Sequence, residues 1–164
     1  MLKLFKNQNP YAIIILLILT LVLKFNVLSH AVLPQMEPHQ VLWGIFLRKF
    51  MDIFGGGSFF YTFLATLNVI GQALYLNYIT NKYHFFSKRT YLPAYTYILA
   101  SSLLPEWSLF SAELLNNWLF LGLINLVYST YADQHARKTL FNIGCLYTLL
   151  FLLSFPDVFF IFFF

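Results

Sequence analysis

Long apolar runs separated by short polar gaps dominate this chain. They predict membrane-crossing helices over about 11–28, 58–79, 91–107, 114–131 and 139–155, with another opening at 158–164. The third is the shortest. Its apolar part, 91–104, rises only about 21 Å as helix, below the ~30 Å of hydrocarbon it must cross. Pro93 falls in its first turn, where proline is tolerated. Between the first and second runs the pattern changes. After Pro34 and Pro38, the residues Leu42, Ile45, Phe46, Phe50 and Ile53 recur at helical spacing, while Arg48, Lys49 and Asp52 gather on another face. This predicts an amphipathic helix over about 39–54 lying in the membrane interface, with an i,i+4 ion pair between Arg48 and Asp52. Gly55, Gly56 and Gly57 end it and turn the chain toward the second run.

Charge gives the pattern a direction. Lys3, Lys6, Lys82, Lys88, Arg89, Arg137 and Lys138, seven of the ten basic residues, occupy alternate gaps. Glu37, Asp52, Glu106, Glu113 and Asp157, five of the six acids, occupy the others. Basic loops stay in the cytoplasm during insertion, so this alternation predicts a cytoplasmic N-terminus and acidic outer loops, Pro105–Glu113 among them. Lys24 then falls near the outer end of the first helix, where its long stem reaches the interface. A cleavable leader ending near Ser29 and Ala31 is the competing reading of the first run.

Composition agrees. The chain of 164 residues is 60% hydrophobic and 10% charged, with a mean hydropathy of +0.70. A soluble domain carries about 45–50% apolar and about 25% charged residues. So small a chain cannot hide the surplus in a core of its own. The lipid bilayer is therefore the expected partner, with other membrane proteins beside it. The absence of a basic stripe on a water-facing domain argues against nucleic acid. Aromatic residues reach 21%, and Tyr11, Tyr61, Tyr78, Tyr91, Trp107 and Tyr131 fall near predicted helix ends, as headgroup-level rings do. Cys145 reads as a small buried hydrophobe without a disulfide partner.

Candidate chemistry is sparse. His30 and His39 fall outside and His84 and His135 inside, so they do not converge on a metal, and no cofactor is expected. No metal-binding, nucleophile or phosphate-cradle motif occurs. Amides inside the runs are more informative. Asn68, Gln72 and Tyr75 share one helix face, and Asn117, Asn125 and Asn142 lie in later runs. Amides in lipid must find partners, so this polar intramembrane face is expected to bond helices together, or else to line a polar path. Glu37, between two prolines and beside His39, is the one weak catalytic candidate. An acid in a first outer loop that also holds interfacial helices matches the layout of polyprenyl-linked glycosyltransferases, although their acidic pair is missing here.

Four stretches carry a family resemblance: FKNQNPYAIIILLILTLVLKF (Phe5–Phe25), QALYLNYITNKYHFFSKRTYLPAYTYILASSLLPEW (Gln72–Trp107), SAELLNNWLFLGLINLVY (Ser111–Tyr128) and KTLFNIGCLYTLLFLLSFPDVFF (Lys138–Phe160). Together they resemble a family of multi-pass inner-membrane proteins of Gram-negative bacteria, a domain of unknown function with no assigned activity. Some members bear the label carotenoid oxygenase, which the scattered histidines here do not support. The resemblance implies an inner membrane, a periplasmic outer side and members nearly twice this length.

The expectation is thus an all-α polytopic membrane helix bundle: a single transmembrane domain over 1–164 with five to six transmembrane helices and one periplasmic interfacial amphipathic helix. It reads as the N-terminal fragment of a longer protein, because an apolar stretch that stops at 158–164 leaves carbonyls unpaired in lipid. The expected role is a structural or assembly component of an envelope complex. A polyprenyl-linked glycosyltransferase-like enzyme and a small-molecule transporter are the alternatives. Enzyme activity is not the favoured expectation for this length of chain.

Overall fold

The computed structural model describes residues 11–34, 41–55, 57–103, 105–130 and 136–153, and every regular element among them is helical. In chain order these are α1 (Tyr11–Leu23), α2 (Phe25–Ser29), α3 (Val41–Phe54), α4 (Ser58–Lys82), α5 (Leu92–Leu103), a 3-10 turn (Pro105–Ser108), α6 (Ala112–Thr130) and α7 (Ala136–Leu153). By length and composition α4 qualifies to cross a membrane, and α1 is a shorter apolar helix. The predicted start at 158–164 lies outside the described residues, as do Glu37, His39 and His135.

The chain forms two compact units. One comprises the chain up to Pro34 together with Gly57–Leu114; the other comprises Gln35–Gly56 and the chain from Leu115 onward.

In the first unit, α1 and α5 pack on α4. Their shared core is Ala12 and Leu16 of α1, Ala73 of α4, and Ala94 and Ile98 of α5. Three alanines at one crossing let the backbones of the three helices come close. The opposite face of α1 is apolar and bare: Ile14, Leu17, Ile18, Leu21 and Val22 are all exposed. The predicted run 11–28 has a hitch. Lys24, with φ −96° and ψ 6°, separates α1 from α2, yet its N–H still donates to the Thr20 carbonyl at 2.9 Å. The helical direction therefore continues across it.

The short third run has a structural consequence. α5 has 12 residues and α4 has 25, so α5 rises roughly 18 Å beside a helix of roughly 38 Å. The segment expected as an outer loop fills the shortfall. The 3-10 turn packs on both helices. Phe110 meets the Tyr61 ring at 6.2 Å, and the Leu114 carbonyl reaches Gln72, midway along α4. Apolar residues such as Leu109 and Phe110 make that fold-back favourable, since it covers a flank of α4 that α5 leaves open.

In the second unit, α3 packs on α7 and buries Trp43 and Leu47, four residues apart. Along α3 the rings of Trp43, Phe46, Phe50 and Phe54 follow one another at centroid distances of 5.6, 5.7 and 4.6 Å. Ile45, Phe46, Ile53 and Phe54 are exposed, as are Arg48, Lys49 and Asp52. The expected Arg48–Asp52 ion pair is not formed. Gly122 of α6 faces Leu146 of α7, 3.9 Å from where a Cβ would stand. Cys145 is exposed rather than buried. α7 turns Thr139 and Leu150 inward, and Phe141, Asn142, Cys145 and Leu149 fall on the other side of the helix.

Candidate functional site

The first unit is held by a run of buried polar contacts centred on Gln72. Its position on α4 is fully buried, next to Ala73 of the core. Its Nε2 donates to the Leu114 carbonyl in the first turn of α6, and its Oε1 accepts from the Tyr97 hydroxyl of α5 at 2.8 Å. Both ends of one amide are thus used, each on a different element. The Tyr97 ring lies against the Trp107 ring, centroids 5.8 Å apart at 32°. The Trp107 carbonyl in the 3-10 turn accepts a hydrogen bond from the Lys24 ammonium at 3.0 Å. Lys24 is 2% exposed, so it does not snorkel to the surface as expected from its place near the end of the run.

The sequence-predicted face divides on inspection. Gln72 bridges helices, and the Asn68 Nδ2 donates to the Leu64 carbonyl of its own helix at 2.9 Å. Tyr75 stacks on Tyr78 with centroids 6.3 Å apart. Asn117, Asn125 and Asn142 belong to the second unit. There Asn117 and Asn125 are half-buried and Asn142 is exposed. The Asn117 Nδ2 is buried without a hydrogen-bond partner among the described residues.

A second polar feature closes the connection between α4 and α5. Asn81 donates from Nδ2 to the Thr90 carbonyl at 3.0 Å and accepts the Thr90 N–H on Oδ1 at 3.1 Å. One side chain therefore clips the two ends of the basic loop together. Asn77, one turn earlier, keeps its Oδ1 buried without a hydrogen-bond partner among the described residues.

Sequence reasoning missed Lys24, Tyr97, Trp107 and the Asn81–Thr90 clip. For Lys24 a signal existed, since an ionisable residue inside an apolar run is costly and needs a nearby acceptor. Tyr97 was indistinguishable from the other aromatics, and Trp107 stood out only as a ring near a predicted helix end. The clip spans nine residues that no periodicity connects.

Chemically, the Gln72 cluster is an amide, a phenol, a backbone carbonyl and an ammonium. No group of three or more His, Cys, Asp or Glu capable of holding a metal occurs among the described residues. No family model, no curated protein and no solved structure matches the chain.

Proposed function

We propose that this chain is a multi-pass helical protein of the bacterial inner membrane with a cytoplasmic N-terminus, and that it serves as a structural or assembly component of an envelope complex. The membrane part of this reading draws on the alternation of basic and acidic gaps. It draws also on the apolar residues left exposed along α1 and at Phe59, Phe63 and Leu67 of α4. Such contiguous apolar surface is unusual on a protein surrounded by water. The family resemblance of the four stretches belongs to the same proposal.

One observation carries the structural role. Gln72, at the centre of the intramembrane polar face, has both amide atoms committed to neighbouring elements. A transport path needs polar atoms turned toward a passing solute, and here they are spent on packing. The test is in-cell cross-linking followed by affinity purification of the full-length protein from membranes. The expected result is a membrane-protein partner in fixed stoichiometry, unaffected by added small solutes. A protein recovered alone, whose deletion changes uptake of a solute, overturns the proposal.

A further inference from the structure

The loop between α4 and α5 is built to a definite shape. Beyond the Asn81–Thr90 clip, the Thr90 Oγ1 accepts the Leu92 N–H at 3.2 Å, and the Phe85 N–H donates to the Thr80 carbonyl at 3.1 Å. His84 sits at φ 54°, a left-handed conformation that a residue with a Cβ rarely adopts without tertiary support. This much ordering fixes what the loop presents. Phe85 and Phe86 are 47% and 42% exposed. Lys88 and Arg89 are exposed beside them, with no ion pair among the described residues. The Lys82 ammonium lies 4.9 Å from the Tyr83 ring centroid and 5.9 Å from that of Tyr78. No acid occurs anywhere from Lys82 to Tyr91.

Two outward phenyl rings flanked by cations do not suit bulk water. They suit a boundary that is apolar on one side and negatively charged on the other. The loop hangs between two helix ends, Lys82 and Leu92, that the proposed membrane reading places at the cytoplasmic surface of the bilayer. Basic residues there gain from anionic headgroups, and aromatic rings gain from the headgroup–acyl boundary. We infer that the 82–90 loop is a binding site for anionic phospholipid. Lys88 and Arg89 hold the phosphate, Phe85 and Phe86 enter the acyl boundary, and the Asn81–Thr90 clip keeps cations and rings in register. The inference rests on the membrane reading and adds to it the class of lipid recognised and the residues that recognise it.

The test is native mass spectrometry of the full chain in dodecyl maltoside micelles, titrated with dioleoylphosphatidylglycerol or with dioleoylphosphatidylcholine. The wild type should bind the anionic lipid in preference. The double variant Lys88→Gln/Arg89→Gln should weaken that binding roughly 30-fold, the effect of two basic residues near such a headgroup, and leave the zwitterionic lipid unaffected. Phe86→Ser should weaken both lipids alike. Arg137→Gln/Lys138→Gln removes the same charge at the start of α7 and should change neither. Equal binding of the two lipids by the wild type overturns the inference. So does an undiminished affinity in Lys88→Gln/Arg89→Gln, or an equal loss in Arg137→Gln/Lys138→Gln. Alkaline carbonate extraction of membranes tests the underlying reading separately. A chain retained in the membrane but indifferent to headgroup charge sinks this inference alone, and a chain released by carbonate sinks the membrane reading.

Discussion

Gln72 shows how much one side chain decides. Replacing it by Leu removes the bond to the Leu114 carbonyl and leaves the Tyr97 hydroxyl without its acceptor in a buried place. A hydrogen bond shared between helices contributes modestly in water or in lipid, so Gln72→Leu should destabilise the first unit by roughly 1–2 kcal/mol. The loss is measurable by unfolding in mixed micelles of increasing dodecyl sulfate; an unchanged midpoint would show that the amide is dispensable. In the sequence, Gln72 was legible as an amide requiring a partner, but the partner was not. Asn68, one turn away, looked equivalent, and its Nδ2 back-bonds to the Leu64 carbonyl. Both are amides on the same helical stripe. Which partner Gln72 finds depends on where α5 and the turn after it lie. Lys24 teaches the same lesson: its place near the end of an apolar run suggested the interface, and the Trp107 carbonyl holds it inside.

At the scale of elements, hydrophobic runs located the helices well because their lengths and breakers are local. The run expected over 58–79 is α4, Ser58–Lys82, and the one expected over 114–131 is α6, Ala112–Thr130. The amphipathic stretch after Pro38 is α3, and Gly55 takes φ 50° at its end, as a glycine turn requires. Loops were less legible. The basic loop after α4 read only as a charged gap between two runs, and Asn81 ties its far end down. Asn81→Ala should open it, and amide exchange at Thr90 should then quicken by roughly tenfold or more, since its N–H donates to the Asn81 Oδ1. Exchange at the wild-type rate would mean that the clip does not hold the loop. The segment after α5 was expected as an outer loop, and it packs along α4 between Tyr61 and Gln72. Its course follows from the mismatch in length between α5 and α4, which no single stretch of sequence displays.

For the molecule as a whole, the proposed topology makes its own prediction. Single cysteines introduced at Ser87 and Ser111, in a Cys145→Ser background, should react with a membrane-impermeant maleimide from opposite sides. Ser87 should be labelled only after the cells are opened, and Ser111 while they are intact; labelling of both under the same condition would remove the basis for placing any helix across a bilayer. The sequence by itself determined the helical class, the positions of the main helices and the split of charge between alternate gaps. These depend on side-chain period, on glycine and proline, and on composition, all of which are local properties. Only the tertiary structure decided where Gln72 finds its partners, that a lysine is enclosed, that the segment after α5 folds back along α4, and that Asn81 closes a loop ending nine residues later. Each of these joins residues that no helical or strand period relates. Chain geometry selects such contacts, and residue type alone leaves several equally good candidates.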